Sequence, residues 1–311
     1  MPAYILRRFL IAIPTILVII TVAFFMMRVA PGGPFDLERP MPEEIRQNIL
    51  AAYGMDQPVW KQYVDYLGGL VRGDLGPSLK FRDKDVADII AEGFPVSATI
   101  GLLSITLAVL IGTVFGSIAA LRQNTAADYG VVAFATIGIV IPPFVVGPIL
   151  ALTVGIYLGW LPSGGLDPRL GMTPERLTLP VITLALPQIA IISRLMRASM
   201  IEVIRSNYIR TARAKGLSGP AVIVRHALRS AILPLVSYLG PASAALLTGS
   251  IVIEQVFALP GIGRQFVLAA LQRDYTVVMG VVILYASLII ILNLVADLLY
   301  AVLNPKVKYE T

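Results

Sequence analysis

The residues of this chain that could carry chemistry crowd into one polar island, residues 202–229, EVIRSNYIRTARAKGLSGPAVIVRHALR. Arg205, Arg210, Arg213, Lys215, Arg225 and Arg229 lie there with His226, the chain's only histidine, and a single acid, Glu202. The chemistry such a set offers is electrostatic. With one histidine and no cysteine, thiolate nucleophiles, disulfides and thiolate metal sites are excluded, and neither a His-based triad nor a His-rich metal site can be assembled. No G-x-x-x-x-G-K-[ST] phosphate loop, H-E-x-x-H helix or G-x-S-x-G elbow occurs anywhere in the sequence. What remains is a basic surface, either a tether for anionic lipid headgroups or a docking site for a soluble partner.

Local signals predict two short helices for this surface. The first runs from about residue 202 to 215 and is ended by Gly216 in the C′ position. The second is capped by Ser218 and carries Pro220 in its first turn. The intervening turn is therefore set by glycine and proline chemistry.

The elements around the island are apolar. The chain is 57% hydrophobic and 14% charged over 311 residues, with a mean hydropathy of +0.80; soluble domains carry about 25% charged residues. An all-α integral membrane protein follows. Residues 9–27, preceded by Arg7 and Arg8, form an uncharged run long enough to cross a hydrocarbon core of about 30 Å. No small-residue cleavage site follows it, so it is expected to be a retained first span. Further uncharged runs cover residues 96–121, 129–166, 230–253 and 275–296, with a shorter one at 177–193. The run at 129–166 exceeds one crossing, so its span is placed at about 130–157, with Trp160 at the interface. Six spans result.

Prolines 142, 143, 148, 180, 187, 234 and 241 fall in or beside these spans, where neighbouring helices can satisfy the freed carbonyls. Gly112 with Gly116, and Gly240 with Ala244, offer small surfaces for close helix contact. Residues 28–95 are soluble in character, with eleven acids against eight bases. They predict one helix after Pro42 with Ile45, Ile49, Leu50 and Tyr53 on a face and Gly54 as its stop, and a second built on Trp60, Tyr63, Val64 and Leu67. This segment is read as an extracytoplasmic subdomain, either a cap that packs on the spans or a contact for an external partner.

Orientation follows from the bases. With the N-terminus inside, the cytoplasmic segments hold thirteen Lys/Arg, including the island, Arg122, Lys306 and Lys308; the two short outer loops hold four, Arg169, Arg176, Arg264 and Arg273. The expected division is a cytoplasmic N-terminus at 1–8, a first span at 9–27, an extracytoplasmic subdomain at 28–95, a membrane core of five spans at 96–302 containing the loop 202–229, and a cytoplasmic tail at 303–311. Charges within spans are few. Asp297 near the end of the sixth is either an ion site or a solvated or paired carboxylate, and Arg194 and Arg197 sit near the cytoplasmic end of the fourth. A membrane pore without an energy source of its own, carrying a large basic cytoplasmic loop, is read as a subunit driven from outside.

The island resembles the cytoplasmic loop of ABC importer permeases, the binding-protein-dependent inner-membrane components, whose pattern is E-A-A-x-x-x-G-x(9)-I-x-L-P. Gly216 matches its glycine, Ala212 its second alanine and Leu228 its leucine. Arg210 stands in place of the glutamate, Thr211 of the first alanine, His226 of the isoleucine and Arg229 of the proline. NYIRTARAKGLS, RHALRSAILP, YLGGLVRGDLGPS, ALPGIGRQFV and AVLNPK are similar to the oligopeptide/dipeptide type, and within it to the B-type permease subunit.

The resemblance implies half of a peptide-translocating pore in the bacterial inner membrane, multi-pass, with no cofactor in this chain. It implies as partners a homologous second permease, two ATP-binding subunits carrying ATP and Mg²⁺, a periplasmic substrate-binding protein and membrane lipid. The loop that would meet the ATPase comprises Arg210, Thr211, Ala212, Arg213, Ala214, Lys215, Gly216, Leu217, Ser218, Gly219 and Pro220, with His226 and Leu228. Nickel or another small solute as cargo, and a stand-alone secondary transporter, are the alternatives. Nucleic acid is excluded as a partner because the island is short and closely flanked by spans.

Overall fold

The computed structural model describes residues 2–29, 33, 42–81, 83–167, 169–249 and 251–303. The tail at 304–311, with Lys306 and Lys308, lies outside the described residues. Among the described residues the chain is helical, with two isolated antiparallel bridges, Pro77 to Asp85 and Asp167 to Gly171. The helices are α1 (Pro2–Val29), α2 (Glu43–Ala52), α3 (Val59–Val71), α4 (Val86–Leu121), α5 (Ala126–Val140), α6 (Pro143–Leu150), α7 (Pro174–Ile204), α8 (Asn207–Ala214), α9 (Gly219–Ala221), α10 (Leu228–Ala231), α11 (Leu233–Gly249), α12 (Ile251–Val256), α13 (Ile262–Gln272) and α14 (Tyr275–Leu303). Two π-helical stretches, Ala151–Tyr157 and Val222–Ala227, extend α6 and join α9 to α10.

Five helices are long and apolar enough to cross a membrane, and a bent pair supplies a sixth crossing. That pair corrects the expectation of one continuous helix over 130–157. α5 and α6 meet at 98°. A residue before proline is pushed out of the α region, and here Ile141 (ψ 116°) and Pro142 (ψ 145°) each precede one. α5 starts beside Arg197 of α7, whereas Gly147 of α6 lies against Thr183. Fourteen residues of α7 separate those points, about 21 Å at 1.5 Å per residue, so the pair climbs most of a bilayer despite its bend.

α4 and α7 form the most extensive pairing, and small residues make it close. A side chain at Gly112 would lie 2.8 Å from Ile192 Cβ, and one at Gly116 would lie 2.6 Å from Met196 Cβ. The expected Gly112/Gly116 contact surface is therefore present, its partner being α7. Gly240 of α11 sits in the same way 2.8 Å from Ala296 Cβ of α14, and Ala244 is buried.

The second span also differs from expectation. Its helix starts at Val86, so residues 86–95, placed by the sequence in the extracytoplasmic segment, are the first turns of α4. Asp85 caps this helix reciprocally with Asp88, and Pro95 is accommodated inside it. Ahead of it, α2 ends as predicted with Gly54 at φ +62°. α3 forms where expected but splits its apolar residues: Tyr63 and Leu67 pack on α1, while Trp60 and Val64 are exposed.

Candidate functional site

The polar island folds as a short helix and turn on the end of α7. Its first helix is shorter than predicted. Glu202 belongs to the last turn of α7, the chain breaks at Arg205 and Ser206, and α8 begins at Asn207. The break leaves Ser206 in the N-cap position, but its hydroxyl donates back to the Val203 carbonyl (2.6 Å). Arg205 Nη2 donates to Gln123 Oε1 (3.0 Å), tying this corner to the connection between α4 and α5.

α8 ends as the sequence predicts. Gly216 has φ +78°, its N–H donates to the Arg213 carbonyl (2.9 Å), and the Leu217 N–H reaches back to Ala212 (3.4 Å). These are the two bonds of a Schellman C-cap, which needs a residue in the left-handed region and so favours glycine. Ser218 occupies the next N-cap position without a side-chain capping bond, contrary to expectation. Pro220 sits in the first turn of α9 as predicted. The chain then widens into the π-helical stretch that carries Arg225 and His226.

Two residues fix this assembly to the membrane core. Ile209 and Ala212, three apart and so on one face of α8, are buried in a cluster with Met196 and Met200 of α7, Val222 and Ala227 of the π stretch, and Leu235 of α11. Everything between is surface: Arg210, Thr211, Arg213, Ala214, Lys215, Gly216, Leu217, Ser218, Gly219 and Pro220 are exposed, while His226 and Leu228 are half-buried. The result is a knob whose base is continuous with the packing of α7 and α11 and whose tip carries cations beside exposed Tyr208 and Leu217. α7 and α11 are further joined by the Tyr238 hydroxyl and Gln188 Oε1, 2.6 Å apart.

Three carboxylates that pattern reading passed over prove to be structural. Asp128 is buried and holds Arg197 by two bonds, Nε to Oδ1 (2.5 Å) and Nη2 to Oδ2 (2.8 Å), while Oδ2 also accepts the Asn124 N–H (2.9 Å). At the other end of the spans, buried Glu254 accepts from Ser97 Oγ (2.6 Å) and from the Arg264 N–H (2.9 Å), at the positive end of α13. A Cβ at Gly261 would overlap the Glu254 carboxylate, so a larger residue there has to displace that side chain. Asp274 is likewise buried, accepting from Ser78 Oγ (2.5 Å), the Leu79 N–H (3.2 Å) and the Val277 N–H at the start of α14.

Asp297, left open by the sequence, pairs with Arg8 of α1 (2.7 Å). The described residues contain no group of three or more His, Asp or Glu side chains that could hold a metal ion. In the loop after the π-helical end of α6, the backbone N–H groups of Leu170 and Arg169 hold the half-buried Asp167 carboxyl below the ordinary carboxylate range.

The sequence matches the family of binding-protein-dependent transport system inner membrane components over residues 112–309 and the N-terminal component of such systems over residues 1–101. It is 48% identical to the oligopeptide transport system permease protein OppB of Haemophilus influenzae, over 98% of this chain and 99% of that one. It is 50% identical to OppB of Escherichia coli K12 over the same shares. It is 42% identical to the dipeptide transport system permease protein DppB of Bacillus subtilis, over 99% of this chain and 98% of that one. Among solved structures, the inward-facing MetNI methionine ABC transporter superposes with a TM-score of 0.59, covering 70% of this chain and 96% of its own, at 17% identity. That likeness is one of fold.

Proposed function

The chain belongs to the family of binding-protein-dependent transport system inner membrane components, and on that premise we propose that it lines half of the translocation path of an ATP-driven importer whose cargo is peptide. It is a multi-pass permease subunit of the inner membrane and works in a complex with other subunits. The cargo reading is supported by relatives named for oligopeptide and dipeptide transport at 42–50% identity along nearly the whole chain. In this reading a homologous second permease completes the pore, two ATP-binding subunits hold ATP and Mg²⁺, and a periplasmic binding protein delivers the peptide. Both chain ends and the knob at 202–229 face the cytoplasm, while α2 and α3 lie outside.

The observation that carries the mechanism is the anchoring of the knob. Its tip is exposed, yet Ile209 and Ala212 seat its base in the same packed cluster as α7 and α11. A partner that moves the tip therefore moves a lever rooted between two spans, since packed cores shift as units and do not yield continuously. The cations at the tip steer and orient the partner, and the Schellman turn at Gly216 fixes the direction in which α9 leaves.

Substitution at Gly216 tests this cleanly, because nothing lies within 4 Å of a Cβ added there. Gly216→Val therefore meets no clash; it strains only the backbone, by on the order of 1 kcal/mol or more at a positive φ. The variant is expected to insert and fold, yet to lose ATPase co-purification or to bind the ATPase without uptake. Gly216→Asn, which tolerates the left-handed region, should retain both. Full uptake by Gly216→Val would end the assignment. If the knob only holds lipid headgroups, neutralising Arg213, Lys215 and Arg225 together would be harmful while Gly216→Val stays silent.

A further inference from the structure

α3 presents three distinct flanks. Tyr63, Tyr66, Leu67 and Leu70 pack against α1 and against Met279 and Ile283 of α14. At 100° per residue, Trp60, Val64 and Val71 fall within about 40° of one another on a second flank, and Lys61, Asp65 and Arg72 form a third. The second flank is bare: Trp60 is 67%, Val64 56% and Val71 89% exposed. The apolar flank thus lies between the face committed to the protein and the charged flank, which points away from the protein.

The position of α3 on α1 shows what adjoins the bare flank. The Tyr63 and Thr21 hydroxyls lie 2.6 Å apart, and Gln62 Oε1 accepts from Arg28 (3.0 and 2.8 Å). Tyr63 and Tyr66 both meet the Phe24 ring, at 5.3 and 6.0 Å, so advancing three residues along α3 does not advance along α1. α3 therefore crosses α1 near its end instead of running beside it. Thr21 and Phe24 lie inside the uncharged stretch that makes α1 a span. On the same stretch Val22, Phe25 and Met26 are exposed apolar residues, and the Phe25 ring lies 5.4 Å from Tyr63. The exposed apolar surface of the first span thus reaches Tyr63, which precedes Val64 of the bare flank in the chain.

We infer that α3 is an interfacial helix of the outer leaflet, with Trp60, Val64 and Val71 seated at the boundary of headgroups and acyl chains and Lys61, Asp65 and Arg72 turned to water. Such a helix carries an apolar face beside a polar one and buries the former about 5–10 Å into the interface. Tryptophan concentrates at that depth; Trp60 lies on the helix that packs on α1 at Thr21 and Phe24, and Trp160 follows the π-helical end of α6. The lipid thereby clamps α1 from the side, through Tyr63, Tyr66 and Gln62.

The inference rests on the proposed orientation, and the experiment separates the two. Trp160 is exposed, so Trp160→Phe leaves Trp60 as the only tryptophan of this chain, and the same complex with Trp60→Phe added supplies the emission of the partner subunits to be subtracted. Reconstituted in vesicles of phosphatidylcholine brominated near the carbonyl end of its chains, Trp60 should lose most of its emission, and iodide added outside should quench it little. Strong iodide quenching with no effect of bromine would overturn the inference, as would protection from both, which would mean a protein partner covers the flank. Should Trp160→Phe fail to assemble, Trp60→Phe and the unmodified chain give the same quantity by difference. Lys61→Cys should be labelled by an impermeant maleimide in intact cells; bromine quenching together with labelling only after permeabilisation would place the helix in the inner leaflet and overturn the inference through its orientation alone.

Discussion

Arg197 shows how much a single residue can mean once its partner is known. Alone in a span it suggests a substrate contact; paired through two bonds with buried Asp128, it fastens α5 to α7. Removing one member of such a pair leaves an uncompensated charge, at a cost of about 3–5 kcal/mol when fully buried, and toward the lower end here because Arg197 retains 27% exposure. Arg197→Ala should lower the melting temperature of the solubilised transporter, and Arg197→Lys should recover only part of it, since an ammonium cannot make the planar two-bond contact. The double variant Arg197→Ala with Asp128→Asn should be more stable than Arg197→Ala alone. Equal stability of Arg197→Ala and the parent would show that the pair holds nothing. The same logic applies to Glu254 and Asp274, whose carboxylates are engaged by Ser97, Arg264, Ser78 and Leu79.

At the scale of elements, helix contact is set by glycine. α4 approaches α7 so closely at Gly116 that a Cβ would lie 2.5 Å from the Ser193 carbonyl oxygen and 2.9 Å from the Arg197 N–H nitrogen. Those neighbours are backbone and cannot rotate away, so Gly116→Val should force the helices apart and abolish stable assembly, seen as loss of the full-length chain from membranes. Gly130→Ala is the matched control, with nothing within 4 Å of the added carbon, and should accumulate like the parent. Normal accumulation of Gly116→Val would show that α4 and α7 do not meet there. The helical periods and the small-residue spacing predicted this contact surface; which helix it faces was invisible, because contact between residues eighty apart leaves no mark in local pattern.

The whole molecule stands or falls on its orientation. Arg8 pairs with Asp297, so the start of α1 and the end of α14 share a side, and the cluster under the knob places 202–229 with the start of α11. In the proposed arrangement, which rests on the thirteen-to-four bias of bases, that side is the cytoplasmic one. Single cysteines at Ser218 and Asp83, both exposed in this cysteine-free chain, provide the check; Ser78, although expected on the outer side, is buried against Asp274 and unsuitable. In intact cells an impermeant thiol reagent should label the Asp83 position and spare Ser218. Labelling of Ser218 would invert the arrangement and remove the knob from any cytoplasmic partner.

By itself the sequence determined that this is a membrane-spanning helical chain, where its spans lie to within about three turns, and that a basic turn closed by Gly216 interrupts them. Those features are local. Hydropathy depends on runs of neighbours, and a Schellman cap depends on one residue free to take a positive φ. The tertiary structure alone decided the rest: that the Pro142 and Pro143 break is turned through 98° but still crosses, that Ile209 and Ala212 root the knob between α7 and α11, and that Glu254, Asp128 and Asp274 are locks. Each of these joins residues distant in sequence. A carboxylate reads the same on paper whether water or a buried hydroxyl will meet it, and only the packed chain brings the hydroxyl.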